Sequence, residues 1–192
     1  MPKKYDFKPD KPQVKALSKL YITATQRKHI LKWFLYAMVL LVLSVVQDVI
    51  LCRFRLFGAT TELVPCAIFL ICIMEGAEQS SLFALLSALA YLFSGTAAGT
   101  YAMVLITVLA IFISMFRQSY LQKGFAAAML CTAVAILLYE LAVFGIGLFL
   151  GHTYPGRFAG FCITAGLSVL TAPVLYPLVQ FIASIGGDTW KE

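Results

Sequence analysis

Long, almost unbroken apolar runs constrain this chain more than any other feature. Six stand out, at about 30–51, 61–77, 79–93, 100–116, 124–150 and 158–185. A backbone placed in hydrocarbon must satisfy its own N–H and C=O groups, which leaves helices or closed barrels as spanning structures. Barrel strands alternate apolar and polar residues, and these runs do not. The sequence therefore predicts an all-α polytopic membrane protein, a bundle of about six transmembrane helices. Composition agrees: 61% of residues are hydrophobic and 12% charged, against roughly 45–50% and about 25% in an ordinary soluble domain.

The runs divide the chain into a basic tail over 1–29, a membrane domain over 30–185 and a short tail over 186–192. The second and third runs are the weakest, because their fully apolar cores, Leu63 to Met74 and Leu82 to Phe93, are 12 residues each. At 1.5 Å per residue such a core covers only about 18 Å of a bilayer interior about 30 Å thick. Two short spanning helices compete there with a re-entrant hairpin, and spanning is the favoured expectation. Pro173 and Pro177 inside the last run predict a kink, since each removes a backbone donor. The first run is expected to stay as a span, because its polar lead is too long for a signal peptide and no small-residue cleavage pattern follows Leu51.

Charge is concentrated at the start of the chain. Residues 1–32 carry nine cations and two anions, and the rest is close to neutral. Lysines and arginines beside a span are retained in the cytoplasm. With both termini inside, twelve cations lie on the cytoplasmic side and three, Arg53, Arg55 and Arg157, outside. The expected location is the bacterial cytoplasmic membrane, with lipid rather than nucleic acid meeting the basic tail. Val14, Leu17, Tyr21 and Ala24 recur at helical spacing with Lys11, Lys15 and Lys19 off that stripe, so this tail is either an interfacial helix or a solvated segment.

Ionisable groups inside the runs carry whatever chemistry the chain has, since each costs at least about 2.5 kcal/mol at a helix centre. Glu140 is the clearest, with no cation between Lys123 and Arg157. A bond to a neighbouring helix, a contact with a partner or ligand, and a proton relay all fit it. Gln47 and Asp48 precede Arg53 and Arg55, which fits either a local ion pair or a polar groove. Tyr154 completes a candidate groove set of Gln47, Asp48, Glu140 and Tyr154. Glu75 and Glu78, three apart, would share a helix face or cap a turn. Ser80, Ala84 and Ala88 form a small-residue stripe suited to close helix packing, within the bundle or against a partner.

No catalytic residue, cofactor site or metal site is expected. His29 and His152 fall on opposite predicted sides with no ligand at useful spacing, and no two of the five cysteines form a C-x-x-C pair. Hydrolase elbow, Walker loop and dinucleotide fingerprint are all lacking.

The stretch Glu75-Gly76-Ala77-Glu78 through Leu92-Phe93-Ser94-Gly95-Thr96-Ala97-Ala98-Gly99-Thr100-Tyr101-Ala102, with Lys32-Trp33, Gln47 and the Gly58-to-Pro65 lead into the second run, resembles the rod shape-determining membrane protein MreD family over residues 30–185. Two positions depart from it. Tyr91 stands where that family often has an Asp ahead of its Ser-Gly loop, and Pro65-Cys66 replaces a Pro-Asp-like start. The resemblance implies a non-enzymatic component of the cell-elongation and peptidoglycan-synthesis machinery. Its implied partner is an MreC-like single-span protein, and through it the MreB filament and cell-wall synthases. It also implies a six-helix form similar to the substrate-binding subunits of energy-coupling-factor vitamin transporters, and such a subunit is the alternative function.

Overall fold

The computed structural model describes residues 24–51, 53, 59–121 and 124–185. The proposed stripe at Val14, Leu17 and Tyr21, together with Arg55, Lys123 and Lys191, lies outside the described residues. Those described are nearly all helical and include no strand. Six helices follow in order: α1 (Ala24–Val46), continued by a π-turn over Gln47–Leu51, then α2 (Leu63–Glu75), α3 (Ala77–Phe93), α4 (Thr100–Tyr120), α5 (Phe125–Phe149) and, after a 3₁₀ turn at Pro155–Arg157, α6 (Phe158–Ile185). Each expected run is a helix. Four segments, Arg27–Leu51, Thr100–Tyr120, Phe125–Phe149 and Pro155–Ile185, are long and apolar enough to cross a bilayer, while α2 and α3 are shorter. Their outward faces form an apolar belt, with Phe34, Val108, Leu137, Val174 and Phe181 all exposed. That belt suits lipid and would be a liability in water.

The organising element is α2. All 13 of its residues are buried, and it packs against each of the other five helices. A helix that is apolar all round belongs in an interior, and Leu63–Glu75 has no polar residue before Glu75. Pro65 is tolerated because it falls in the first turn, where an N–H has no intrahelical partner. The α1 face that meets α2 carries Lys32, Tyr36 and Gln47, all buried. Gln47 bonds the start of α2 and Tyr36 its end, so the two helices are antiparallel. The bundle thus has a Lys32 end and a Gln47 end.

One residue, Gly76, joins α2 to α3, with φ 88° and ψ 165°. This region of backbone space is open almost only to glycine. A Cβ there would meet nothing within 4 Å, so the constraint is conformational rather than steric. Gly76→Ala is expected to lower stability by about 1–3 kcal/mol, read as a lower unfolding midpoint in detergent with unchanged helix content. The last helix, α6, runs continuously through Pro173 and Pro177.

Candidate functional site

Three features could do more than hold the bundle together: a polar level at each end of α2, and a groove beside it. At the Lys32 end, Lys32 and Tyr36 are four residues apart and so share one face of α1. The Lys32 Nζ lies 2.5 Å from Glu75 Oε2, with both side chains fully buried. The Tyr36 hydroxyl donates to Glu75 Oε1 at 2.6 Å, so each carboxylate oxygen has its own donor. Trp33 and Phe83 screen the group, their ring centroids 5.1 Å apart. Nearby, Arg117 of α4 donates through Nη1 to the Ile73 carbonyl. A cation there satisfies a terminal carbonyl of α2 and complements the negative end of its dipole.

At the Gln47 end the first N–H groups of α2 need acceptors, and two other helices supply them. Gln47 Oε1 accepts from the Val64 N–H at 2.9 Å, and Ser168 Oγ of α6 accepts from the Glu62 N–H at 2.9 Å. The Gln47 amide also faces the Tyr91 hydroxyl of α3 at 3.5 Å. Behind these caps lie Glu62, Tyr139 and Glu140, close enough to Tyr91 and to one another to interact electrostatically, with Tyr101 beside Tyr139. Glu140 is 3% exposed and Tyr139 1%. Among the described residues Glu62 Oε2 and Glu140 Oε1 are enclosed without a hydrogen-bond partner, and the Tyr139 hydroxyl lies against the Glu62 carboxyl.

Between α1 and α3 a groove of about 800 Å³ opens sideways from the bundle. Its floor includes Val64 of α2 and Tyr91; Leu40, Leu41, Phe83 and Leu86 form much of its walls, and Trp33 and Glu78 stand toward the Lys32 end. The helices touch at the Lys32 end, where Trp33 of α1 meets Phe83 of α3.

The structure gathers only part of the candidate groove set. Gln47 and Glu140 come to the same end of the bundle. Asp48 is half-buried with Oδ1 enclosed and unpartnered, and Arg53 is exposed, so the Asp48–Arg53 ion pair is not formed. Tyr154 does not join them; it is 64% exposed, with the Arg157 guanidinium 5.8 Å from its ring centroid. None of these four lines the groove. Ser80, Ala84 and Ala88 are fully buried, so this stripe is occupied by packing within the bundle and is closed to a partner. Glu75 and Glu78 do not share a face, because the bend at Gly76 puts them on different helices: one is buried against Lys32 and the other lies exposed at the groove. Sequence reasoning missed Glu62, which looked like an ordinary loop acid, and missed Lys32, which looked like the last cation of the tail. A faint signal existed for Lys32: it is followed within four residues by Trp33 and Tyr36 and lies inside the helical run.

Among the described residues no group of three His, Cys, Asp or Glu side chains could hold a metal ion. No protein-family model, no curated protein and no solved structure matches the chain.

Proposed function

We propose that this chain is a membrane scaffold of the MreD type, which receives the single transmembrane helix of an MreC-like protein in the groove between α1 and α3. In this reading all six helices cross the cytoplasmic membrane of a bacterium, both termini are cytoplasmic, and the Lys32 end is the cytoplasmic end. The short α2 and α3 serve as spans because α2 meets protein on every side and never has to match the bilayer thickness. No chemistry is carried out; the protein holds a partner and, through it, the filament and the wall synthases.

The groove carries the proposal. It is apolar and bordered by the outward-facing Leu41, Leu82 and Leu86, which suits recognition of a helix in a groove. Without a hydrophobic driving force in lipid, such association rests on close packing, and the small residues Ala37, Ser44, Ser87 and Ala90 along the groove permit it. Glu78 at its cytoplasmic end faces the region where a single span carries its basic flank. The alternative, a vitamin-transporter subunit, calls for a chamber lined by polar groups, and Gln47, Asp48, Glu140 and Tyr154 do not line this groove.

Ala37 and Ala90 are exposed in the groove, so Trp at either position fills it without entering the core. Co-expressed with the MreC-like protein of the same organism and purified in mild detergent, the wild-type chain is expected to retain that partner. Ala90→Trp should retain about tenfold less or worse, a loss of roughly 1.4 kcal/mol or more, with an unchanged unfolding midpoint. Val174→Trp on α6, where the side chain already faces outward, should retain it fully. Equal retention by all three, or a tightly held small molecule with no partner, contradicts the proposal.

A further inference from the structure

We propose that Glu62 and Glu140, with the Tyr139 hydroxyl, form a binding site for one small hard cation of the sodium or calcium class. The site is distinct from the groove and does not depend on the partner reading. Two carboxyl groups meet at the Gln47 end, one from the residue preceding α2 and one from α5, near enough to act on each other's charge. One oxygen of each is enclosed without a hydrogen-bond partner among the described residues, and the Tyr139 hydroxyl, in a side chain 1% exposed, lies against the Glu62 carboxyl. Buried polar atoms are almost always partnered, and an exception calls for a ligand or ion. Among the described residues neither carboxylate has an ion pair; the one formed is Lys32–Glu75 at the opposite end.

The donor set indicates the class of ligand. Two carboxylates in a low-dielectric interior repel strongly unless positive charge lies between them. The groups that meet there, Glu62, Glu140 and Tyr139, offer oxygen alone, and among the described residues no imidazole or thiolate completes a transition-metal set. Oxygen-only coordination selects hard cations. Magnesium keeps several waters and an octahedral shell, which an enclosed position does not offer, whereas calcium tolerates irregular protein oxygens. Sodium has the same preference with half the charge.

The experiment uses the full chain purified in detergent with choline chloride as the only salt. Adding sodium chloride or calcium chloride should raise the unfolding midpoint saturably, by at least about 3 °C, because an ion that binds only the folded state stabilises it. Choline and magnesium at matched ionic strength should not. Glu140→Gln and Glu62→Gln should abolish the rise, and Tyr139→Phe should weaken it. Equilibrium dialysis of the wild-type chain with radioactive sodium or calcium should find about one ion per chain, a readout that remains if the variants fold poorly. A dependence on sodium alone or on calcium alone identifies which ion occupies the site. The proposal is overturned if no ion is retained in dialysis, or if the midpoint responds equally in the Glu62→Gln/Glu140→Gln double variant. It is also overturned if the wild-type midpoint responds to neither sodium nor calcium while the double variant is as stable or more so, the behaviour of two protonated carboxyls.

Discussion

Lys32→Met is expected to cost about 3–5 kcal/mol of stability, because it leaves the Glu75 carboxylate buried without its counter-ion. For a chain of this size the loss corresponds to an unfolding midpoint lower by roughly 6–20 °C. Water offers no escape here. Lys32 and Glu75 are both fully enclosed, and a turn of α1 and the rings of Trp33, Tyr36 and Phe83 lie around them. Tyr36 still donates to one carboxylate oxygen, but a neutral hydroxyl cannot replace an ammonium. Glu75→Leu alone should be similarly damaging, since it strands the ammonium instead. The double variant Lys32→Met/Glu75→Leu should recover most of the loss, because apolar side chains of similar volume often replace a buried pair at little cost. Thermal unfolding of the four proteins in one detergent gives the coupling directly. If Lys32→Met alone unfolds at the wild-type midpoint, the pair is not the lock it is taken to be.

The second large effect concerns the opposite end of α2. Gln47→Leu combined with Ser168→Ala removes the side-chain acceptors of the Val64 and Glu62 N–H groups. Each orphaned donor costs about 1–3 kcal/mol, so the pair should cost roughly 2–6 kcal/mol. A helix in water would lose less, because solvent would take the place of the missing cap. Here α2 is sheathed by five helices, and among the described residues these two side chains are the acceptors that meet its start. The expected signature is specific: hydrogen exchange should accelerate at Val64 and its neighbours before the rest of α2 is affected. Uniform exchange along α2, with no local change at its start, would show that the two caps carry little energy.

How much of this was legible in the sequence follows from the range of each interaction. Helix positions were, because an apolar run in a chain with 12% charged residues has few alternatives, and Gly95 with Gly99 marks the break between the third and fourth runs. The shortness of Leu63–Glu75 was legible too, but it read as weakness. In the fold the same segment is the most enclosed element, since a helix wrapped by others need not span a bilayer by itself. What could not be read were pairings across the bundle. Tyr36 and Glu75 are 39 residues apart, and nothing in their local surroundings separates a buried lysine from one more cation of the tail. Glu140 was conspicuous because it interrupts a long apolar helix. Its neighbour Glu62 was not, because it follows two threonines in a polar stretch. The stripe Ser80, Ala84, Ala88 announced close packing without saying against what, and the bundle itself takes it.

The proposed scaffold requires that the groove between α1 and α3 receive another helix. A photo-crosslinking residue at Leu86, in the groove wall, and one at Val174, outside it on α6, would be compared in membranes of cells carrying the proposed MreC-like partner. Crosslinking to the partner's single span from position 86 and not from position 174 is the predicted result. Crosslinks to lipid alone at position 86, or equal capture from both positions, would contradict it.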